Sequence, residues 1–248
     1  MEEPEMLAKH DWRINKIAFA PPQNVFTDGK WIQAPTVLSI AASGKYGNRD
    51  VSFPIPNATA LFLELSYESH QHSMEKIKAA IETGVMPIDS KGGLSISDTE
   101  AFGFFQAVMA SVVFAYTALE AFVNEEIPDA YVHMVEEKQF TRQYDKVQIE
   151  RFLNLPTKLG DVLPEALAVK SPKGTTIWEN FRQLNATRDR IIHLKSDDRH
   201  YRHDTPTPLW TDLIVSPLPE NYRIAKEMIG YFFLTRDKIP RWFAKCPF

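Results

Sequence analysis

Apolar residues recur at every third or fourth position in four long stretches of the chain, and this spacing predicts four amphipathic helices. The stretches run from 57 to about 83, from 97 to about 126, from 176 to about 193 and from 220 to about 244. Two shorter helices are expected at 146–153 and 159–169. The pattern therefore predicts a mainly α fold, a bundle of about four to six helices.

Local signals mark the ends of these helices. The expected N-caps, chosen for side-chain oxygens that accept from free backbone N–H groups, are Asn57, Ser97 and either Thr175 or Thr176. Ser97 and Glu100 lie three apart, which is the pattern of a capping box. Pro240 is expected to kink the last helix or to stop it early, because proline lacks the N–H that a helix interior needs.

Residues 1 to 57 lack helical spacing and combine short apolar runs with six prolines. Strands are expected there at Ile14–Phe19, Trp31–Ile32, Thr36–Ile40 and Val51–Phe53, with a turn at Asp28-Gly29 and a loop at 43–48. We interpret 1–57 as a small strand-bearing segment and 58–248 as a helical domain. An inserted segment at about 128–174 interrupts the helical pattern, and a further short strand is expected at 210–215.

The second helix is apolar around most of its circumference, which is typical of the central helix of a bundle. Glu120 and Asn124 lie four apart on its narrow polar stripe. One interpretation is a partly exposed edge with a local hydrogen bond between them. The other is that both support a site on a neighbouring helix, because an acid on so apolar a helix usually has a partner.

The stretch Arg188-Asp189-Arg190-Ile191-Ile192-His193 closes the third long helix. Arg188 takes the next position of an apolar stripe formed by Ile177, Phe181, Leu184 and Ile191, and a guanidinium is costly there unless it is paired or solvated through a cleft. Asp189 and His193 lie four apart on one face, so the acid is expected to hold the imidazole. Arg188 and His193 lie about 140° apart around the helix, but arginine is long enough for both heads to converge on one ligand.

Composition narrows the class of protein. The formal net charge of −4 gives no global basic surface for coating nucleic acid, so any RNA contact must come from a local patch. The single cysteine, Cys246, excludes an internal disulfide and favours a reducing cytoplasm. We expect no membrane partner, because the richest apolar run, from 108 to 118, is broken by Ser111 and Tyr116. The acidic N-terminus is unlike a secretory signal.

Histidines elsewhere suggest other chemistry. A metal site would draw on His193, His200 and His203 with Asp197, Asp198 or Asp204, but their spacing matches no compact ligand motif, so we expect neither a metal nor a cofactor. His70 and His72 lie two apart on the first helix and point in different directions, so both are expected to be solvated. No serine-hydrolase, zincin or dinucleotide-loop motif is present.

Arg188 and His193 together suit the cleavage of a phosphodiester. A histidine exchanges a proton near neutral pH, and an arginine binds phosphate in a fork. The competing interpretation is a helix C-terminus that carries cations because the helix dipole favours them there. That interpretation accounts for Arg190 and Lys195 well, but it accounts poorly for Arg188 on the apolar stripe.

The motif resembles that of the HEPN domains (higher eukaryotes and prokaryotes nucleotide-binding), in which an Arg, a polar residue and, a few positions later, a His lie near the end of a helix in an all-α bundle. Arg188 to His193 has that spacing, and the segments 118–124 and 181–185 also look like helices of the family, including the acid on the neighbouring helix. The resemblance covers about 58–246. Residues 1–57 and the inserted segment lie outside the common pattern.

The resemblance implies a metal-independent endoribonuclease of the toxin or antiviral-defence kind, acting as a homodimer with a composite RNA cleft. His193 would be the general acid/base, Arg188 would stabilise the phosphorane and Asp189 would orient the cleft. Glu120, Asn124, Arg190 and Lys195 would assist, and an antitoxin or another regulatory partner would fit such a role. The alternative is a non-catalytic HEPN-like module that binds a nucleotide or a protein. A metal-dependent enzyme using the histidines at 200 and 203 is a third possibility.

Overall fold

The computed structural model of the chain describes residues 10–27, 29–82, 96–199, 209–215, 217–234, 236 and 239–248. The strands are β1 (Ile17–Thr27), β2 (Lys30–Ser39), β3 (Ala41–Tyr46), β4 (Arg49–Pro54), β5 (His133–Glu136) and β6 (Thr141–Tyr144). The α-helices are α1 (Ala58–Glu82), α2 (Asp98–Glu126), α3 (Lys146–Phe152), α4 (Leu155–Thr157), α5 (Leu163–Ala166), α6 (Thr176–Ile192), α7 (Ser196–Arg199), α8 (Leu209–Leu213), α9 (Asn221–Phe233) and α10 (Arg241–Ala244). A π-helix, Lys158–Val162, lies between α4 and α5. The prediction of a mainly α protein with a few short strands is confirmed.

The chain forms two compact units, one of 1–61 with 238–247 and one of 62–237 with Phe248. In the first unit, β1 pairs with β2 and β3 with β4, both antiparallel. The β1–β2 register shifts between Ala20 and Gln23, where two prolines interrupt the ladder because they have no N–H to donate. The loop expected at 43–48 is wrong: 43–46 belong to β3, and Gly47, at φ +59°, makes the turn.

The core of the second unit is built from α2, α6 and α9, each in contact with the other two. Its largest fully buried side chains include Phe122 and Phe233, whose ring centroids lie 5.5 Å apart edge to face, and Phe181 from α6. Helix α1 joins them through the Ser66 hydroxyl, which donates to the Ser111 carbonyl at 2.8 Å. The apolar circumference of α2 is thus explained by packing on several sides.

Helix α2 is also the one helix, among the described residues, that is long and apolar enough to cross a membrane. Half of its most apolar window is buried inside the protein, in contact with the two other core helices. This placement is consistent with a soluble protein.

The expected N-caps are confirmed. The Asn57 side chain accepts from the Ala60 N–H at 2.8 Å, and the Thr175 hydroxyl accepts from the Trp178 N–H at 3.2 Å. At the start of α2, the Ser97 hydroxyl accepts from the Glu100 N–H and donates to its carboxylate at 2.8 Å. These oxygens satisfy N–H groups that the first helical turn leaves without an internal partner.

The inserted segment differs from its prediction. Residues 133–144 form a β5–β6 hairpin, where no strand was expected. The short helix expected at 146–153 is confirmed as α3. The one expected at 159–169 is confirmed as helical, but its bounds differ: α4, the π-helix and α5 follow one another from 155 to 166. Lys158 at the start of the π-helix is completely buried.

Three further expectations are corrected. The strand expected at 210–215 is the short helix α8, because Leu209 and Leu213 lie four apart and are both buried. The last predicted helix ends at Phe233, and α10 starts only after Pro240. His70 is buried against the ring of Tyr222, with centroids 5.5 Å apart, rather than solvated.

Candidate functional site

Helix α6 places the motif. Trp178, Phe181, Leu184 and Ile191 are the buried residues of α6 and anchor it in the core formed with α2 and α9. Arg188 continues the same side of the helix between Leu184 and Ile191, and its side chain is 27% exposed. The guanidinium expected on the apolar stripe is therefore half-buried beside the core.

The burial of Arg188 is compensated by two contacts. Its guanidinium carbon lies 4.5 Å from the centroid of the Tyr116 ring on α2, and Nη1 lies 3.0 Å from Oδ1 of Asp189. An arginine over an aromatic face is attracted to the electrons of the ring, more strongly where water is excluded. Burial raises the pKa of the Tyr116 hydroxyl, Arg188 opposes that rise, and Glu120 and Asp189 add to it.

The carboxylate of Asp189 binds the guanidinium of Arg188. Its carboxylate takes the guanidinium on one oxygen, and the Asn185 amide donates to the other at 3.3 Å. The sequence predicts His193 as the partner of this carboxylate. In the structure His193 meets Asp189 only through the backbone, where the His193 N–H donates to the Asp189 carbonyl at 2.9 Å.

His193 ends the helix. It is the C-cap of α6, with φ −115° and ψ 54°, so the chain leaves the helical conformation at this residue. The residue is exposed, and no hydrogen bond to its imidazole is recorded among the described residues. The imidazole is therefore available to a ligand at the end of the motif helix.

Arg190 forms ion pairs with two acids that lie outside the motif. Its guanidinium binds Asp198 at 2.7 Å and Asp212 at 2.5 Å. Asp198 also accepts from the Leu209 N–H at 3.0 Å, and the bond from Arg190 holds the pKa of the Asp198 carboxyl below its usual value. Arg190 thus ties α6 to α7 and α8. Lys195 is exposed, and its carbonyl accepts from the Asp198 N–H at 3.1 Å.

Asn124 contacts a residue that the sequence did not single out. Lys158 donates from Nζ to Oδ1 of Asn124 at 3.1 Å and to the Glu150 carbonyl at 3.0 Å. Burial lowers the pKa of Lys158, and the carboxylates of Glu120 and Glu150 oppose that shift. The local hydrogen bond expected between Glu120 and Asn124 is replaced by this contact to the inserted segment.

Tyr116, Glu120 and Asn124 lie four apart along α2 and so share one face of that helix. Arg188 lies at the Tyr116 end of this face and Lys158 at the Asn124 end. We name these three side chains the α2 stripe. Tyr116 was detectable from the sequence as the residue one turn before Glu120, whereas Lys158 carries no sequence signal, because nothing in its neighbourhood predicts a π-helix.

The metal hypothesis gains no support. His200, His203 and Asp204 lie outside the described residues, as does the side chain of Asp197. Asp198 is engaged by Arg190 and by the Leu209 N–H. Within the part of the chain that the structure describes, no group of three His, Cys, Asp or Glu side chains is placed to hold a metal ion.

Comparison of the chain with protein families, with curated proteins and with solved structures found no match. The chemistry must therefore be read from the site itself. The site offers a cation fixed in direction, an exposed imidazole five residues further along the chain, and a polar stripe on the adjacent helix. A cation and a proton-transfer group at one helix end suit an anionic substrate that is cleaved by acid–base chemistry.

Proposed function

We propose that the protein is a metal-independent endoribonuclease of the HEPN type. The observation that carries the proposal is the arrangement at the end of α6, where Tyr116 and Asp189 fix the head of Arg188 while His193 is left exposed at the C-cap. A guanidinium that is already held in position stabilises the negative charge that develops in the transition state without having to reorganise during the reaction. The exposed imidazole adds a group that exchanges protons near neutral pH.

The reaction would be a transesterification within RNA. The ribose 2′-OH loses its proton and attacks the adjacent phosphorus, and the 5′-oxygen leaves with a proton, giving a 2′,3′-cyclic phosphate and a 5′-hydroxyl. His193 supplies the general acid/base at one of these steps, and Arg188 stabilises the phosphorane oxygens. Asp189 orients Arg188, Glu120 and Asn124 form the adjacent wall, and Lys195 adds a cation for the backbone.

A homodimer with a composite site fits this reaction, because two motif helices would supply two copies of His193, one as base and one as acid. An apolar pocket of about 420 Å³ on α2 and α8 supports an interface on the second unit. Phe102, Phe105, Met109 and Trp210 line it, and Phe102 is 64% exposed. Exposed apolar patches of this kind commonly mark surfaces that another protein covers.

The biological role we propose is a cytoplasmic toxin or antiviral effector, with RNA as its substrate and an antitoxin or other regulatory protein as a further partner. The absence of an internal disulfide, with Cys246 the single cysteine, fits a reducing compartment. A nuclease that attacks the RNA of its own cell requires control, which is the reason for expecting a regulator.

The test is RNA cleavage in EDTA by the purified protein and three variants. Arg188→Ala and His193→Ala should each abolish cleavage, because they remove the phosphate-binding cation and the proton-transfer group. Arg182→Ala is the matched control: it removes an exposed arginine of the same helix that pairs with Glu179. Cleavage that survives both motif substitutions would overturn the proposal.

A second candidate is a non-catalytic module that binds a nucleotide or a protein through the same cleft. The observation that favours it is the position of Asp189, whose carboxylate binds Arg188 and Asn185 and so does not orient the imidazole of His193. Under this alternative His193→Ala would keep full biological activity, while Arg188→Ala would lose binding of the nucleotide or partner.

A further inference from the structure

Lys158 is a completely buried lysine whose charge the proposed reaction does not yet use. Its ammonium group donates to the Asn124 side chain and to the Glu150 carbonyl, at 3.1 and 3.0 Å. It begins the π-helix of the inserted segment, and π-helical turns occur often at functional sites. Burying an ammonium is costly, and an apolar side chain of similar volume would pack there more cheaply.

The π-helix that carries Lys158 is held firmly. Ser171 donates to the Gly160 carbonyl at 2.6 Å, and Lys173 binds Asp161 at 2.5 Å. A Cβ on Gly160 would lie 3.0 Å from Cη2 of the buried Trp178 ring, so the backbone of the π-helix packs directly against α6. This packing fixes where the ammonium group of Lys158 meets α2.

The α2 stripe connects Lys158 to the motif. At about 1.5 Å of rise per residue, Tyr116 and Asn124 lie about 12 Å apart along the helix, with Glu120 midway. Glu120 is near enough to both ends for its charge to act on Lys158 and on Tyr116. Glu120 thus stands midway along the α2 stripe, between the Asn124 end that Lys158 contacts and the Tyr116 end that Arg188 contacts.

We propose that Lys158 is a positioning residue for the ribonuclease site, which holds Asn124 by a direct hydrogen bond and balances the charge of Glu120, so that the α2 stripe faces the RNA backbone in one arrangement. This inference rests on the proposed function. It gives the inserted segment, which lies outside the pattern of the HEPN family, a part in catalysis. Lys158 touches no substrate and acts through Glu120 and Asn124.

The experiment measures kcat and KM for RNA cleavage in EDTA with the full chain. Lys158→Met keeps the volume of the side chain and removes its charge, and thermal unfolding verifies that the variant is folded. We expect kcat to fall about tenfold with KM within about twofold, the pattern of an interaction used in the transition state. Lys146→Met is the matched control, because it removes another lysine charge of the inserted segment, the one paired with Asp129 at 2.7 Å, and it should leave kcat unchanged.

A combined substitution separates positioning from a structural role. If Lys158 acts through Glu120 and Asn124, Lys158→Met should cost no further activity in a protein that already carries Glu120→Gln and Asn124→Ala, whereas independent losses would multiply. A Lys158→Met protein with wild-type kcat, or losses that multiply, would overturn the inference while leaving His193-dependent cleavage intact. A wild-type protein that cleaves no RNA would overturn the proposed function and this inference with it.

Discussion

The guanidinium of Arg188 lies over the ring of Tyr116, 4.5 Å from its centroid, and is held at its edge by Asp189 at 3.0 Å. An arginine side chain has many rotamers, and ordering it at the moment of ligand binding costs free energy. The ring and the carboxylate have already restricted those rotamers in the structure. Tyr116 therefore supports Arg188, the residue that we propose binds the phosphate, although Tyr116 lies outside the motif at 188–193.

Replacing Tyr116 by Leu should lower kcat for RNA cleavage. The lost cation–π contact is worth about 1–2 kcal/mol, which corresponds to about a 5- to 30-fold change in rate. Tyr116→Phe keeps the ring and should cleave within about twofold of the wild type. Single-turnover rates of both variants, each verified as folded by thermal unfolding, measure the difference. Equal losses in the two variants would show that the hydroxyl, and not the ring face, matters.

The protein should become less stable as the pH is lowered, because of His70. Burial lowers the pKa of this imidazole, Glu220 opposes that shift, and Arg223 adds to it. The unfolded chain keeps the ordinary pKa near about 6.5 and so binds the proton more readily than the folded chain. The stabilisation from neutral His70 is therefore complete above about pH 6.5 and is lost as the pH falls below it.

Thermal unfolding at pH 7.5 and 5.5 tests this linkage. The His70→Gln protein should lose less stability between the two values than the wild type, because the residue that must stay neutral is gone. His72→Gln is the control, since its side chain lies two positions away and is 54% exposed. A His70→Gln protein with the same pH dependence as the wild type would contradict the assignment.

Asp198 should protect the backbone amide at the start of α8 from hydrogen exchange. Its carboxylate accepts from the Leu209 N–H at 3.0 Å and binds Arg190 at 2.7 Å, so it links α8 to the motif helix. In an Asp198→Ala protein the Leu209 amide should exchange with deuterium faster, because it loses its acceptor. Asp212→Ala removes only the second partner of Arg190 and should change that amide less. Exchange that is unchanged in Asp198→Ala would refute the link.

Gly160→Ala should destabilise the protein by about 1–3 kcal/mol, the usual range for an added carbon in a filled site. The new Cβ would lie 2.4 Å from Cε of Lys173 and 3.0 Å from the Trp178 ring. Lys173 is flexible and can move, so a second substitution, Lys173→Ala, should restore part of the loss. Gly103→Ala is the control: its Cβ has ordinary contacts at 3.5 Å, and alanine favours the helix interior by about 0.5–1 kcal/mol. Denaturant unfolding of the wild type and of the three variants measures these differences.

The sequence was sufficient where one local pattern determined the structure. The bounds of α1, α2 and the start of α6 followed from apolar spacing and from the oxygens of Asn57, Ser97 and Thr175. The sequence was insufficient where tertiary packing determines the local structure. The β5–β6 hairpin lies in a mixed charged stretch without alternation, and the buried Leu209 and Leu213 select a helical turn in a segment rich in β-formers.

The candidate site shows the same division. The place of Arg188 on the apolar stripe of α6 correctly marked it as unusual, because burial of a guanidinium is costly in any fold. The partner of Asp189 was expected to be the residue four positions on, and it is instead its neighbour Arg188. Spacing along one helix shows which of its side chains can meet. It does not show that Arg188 stacks on Tyr116, because that contact depends on a second helix, and in this position Arg188 also binds its neighbour Asp189.

The most direct test of the ribonuclease proposal is the chemistry of the ends that the protein leaves on RNA. A short RNA incubated with the wild-type protein in EDTA should give fragments that end in a 2′,3′-cyclic phosphate and begin with a 5′-hydroxyl, as determined by mass spectrometry. The His193→Ala protein should give none, while Arg182→Ala should give the same fragments as the wild type. A new 3′-hydroxyl and 5′-phosphate at the cleaved bond, or cyclic-phosphate fragments that persist in His193→Ala, would contradict attack by the 2′-OH at this site.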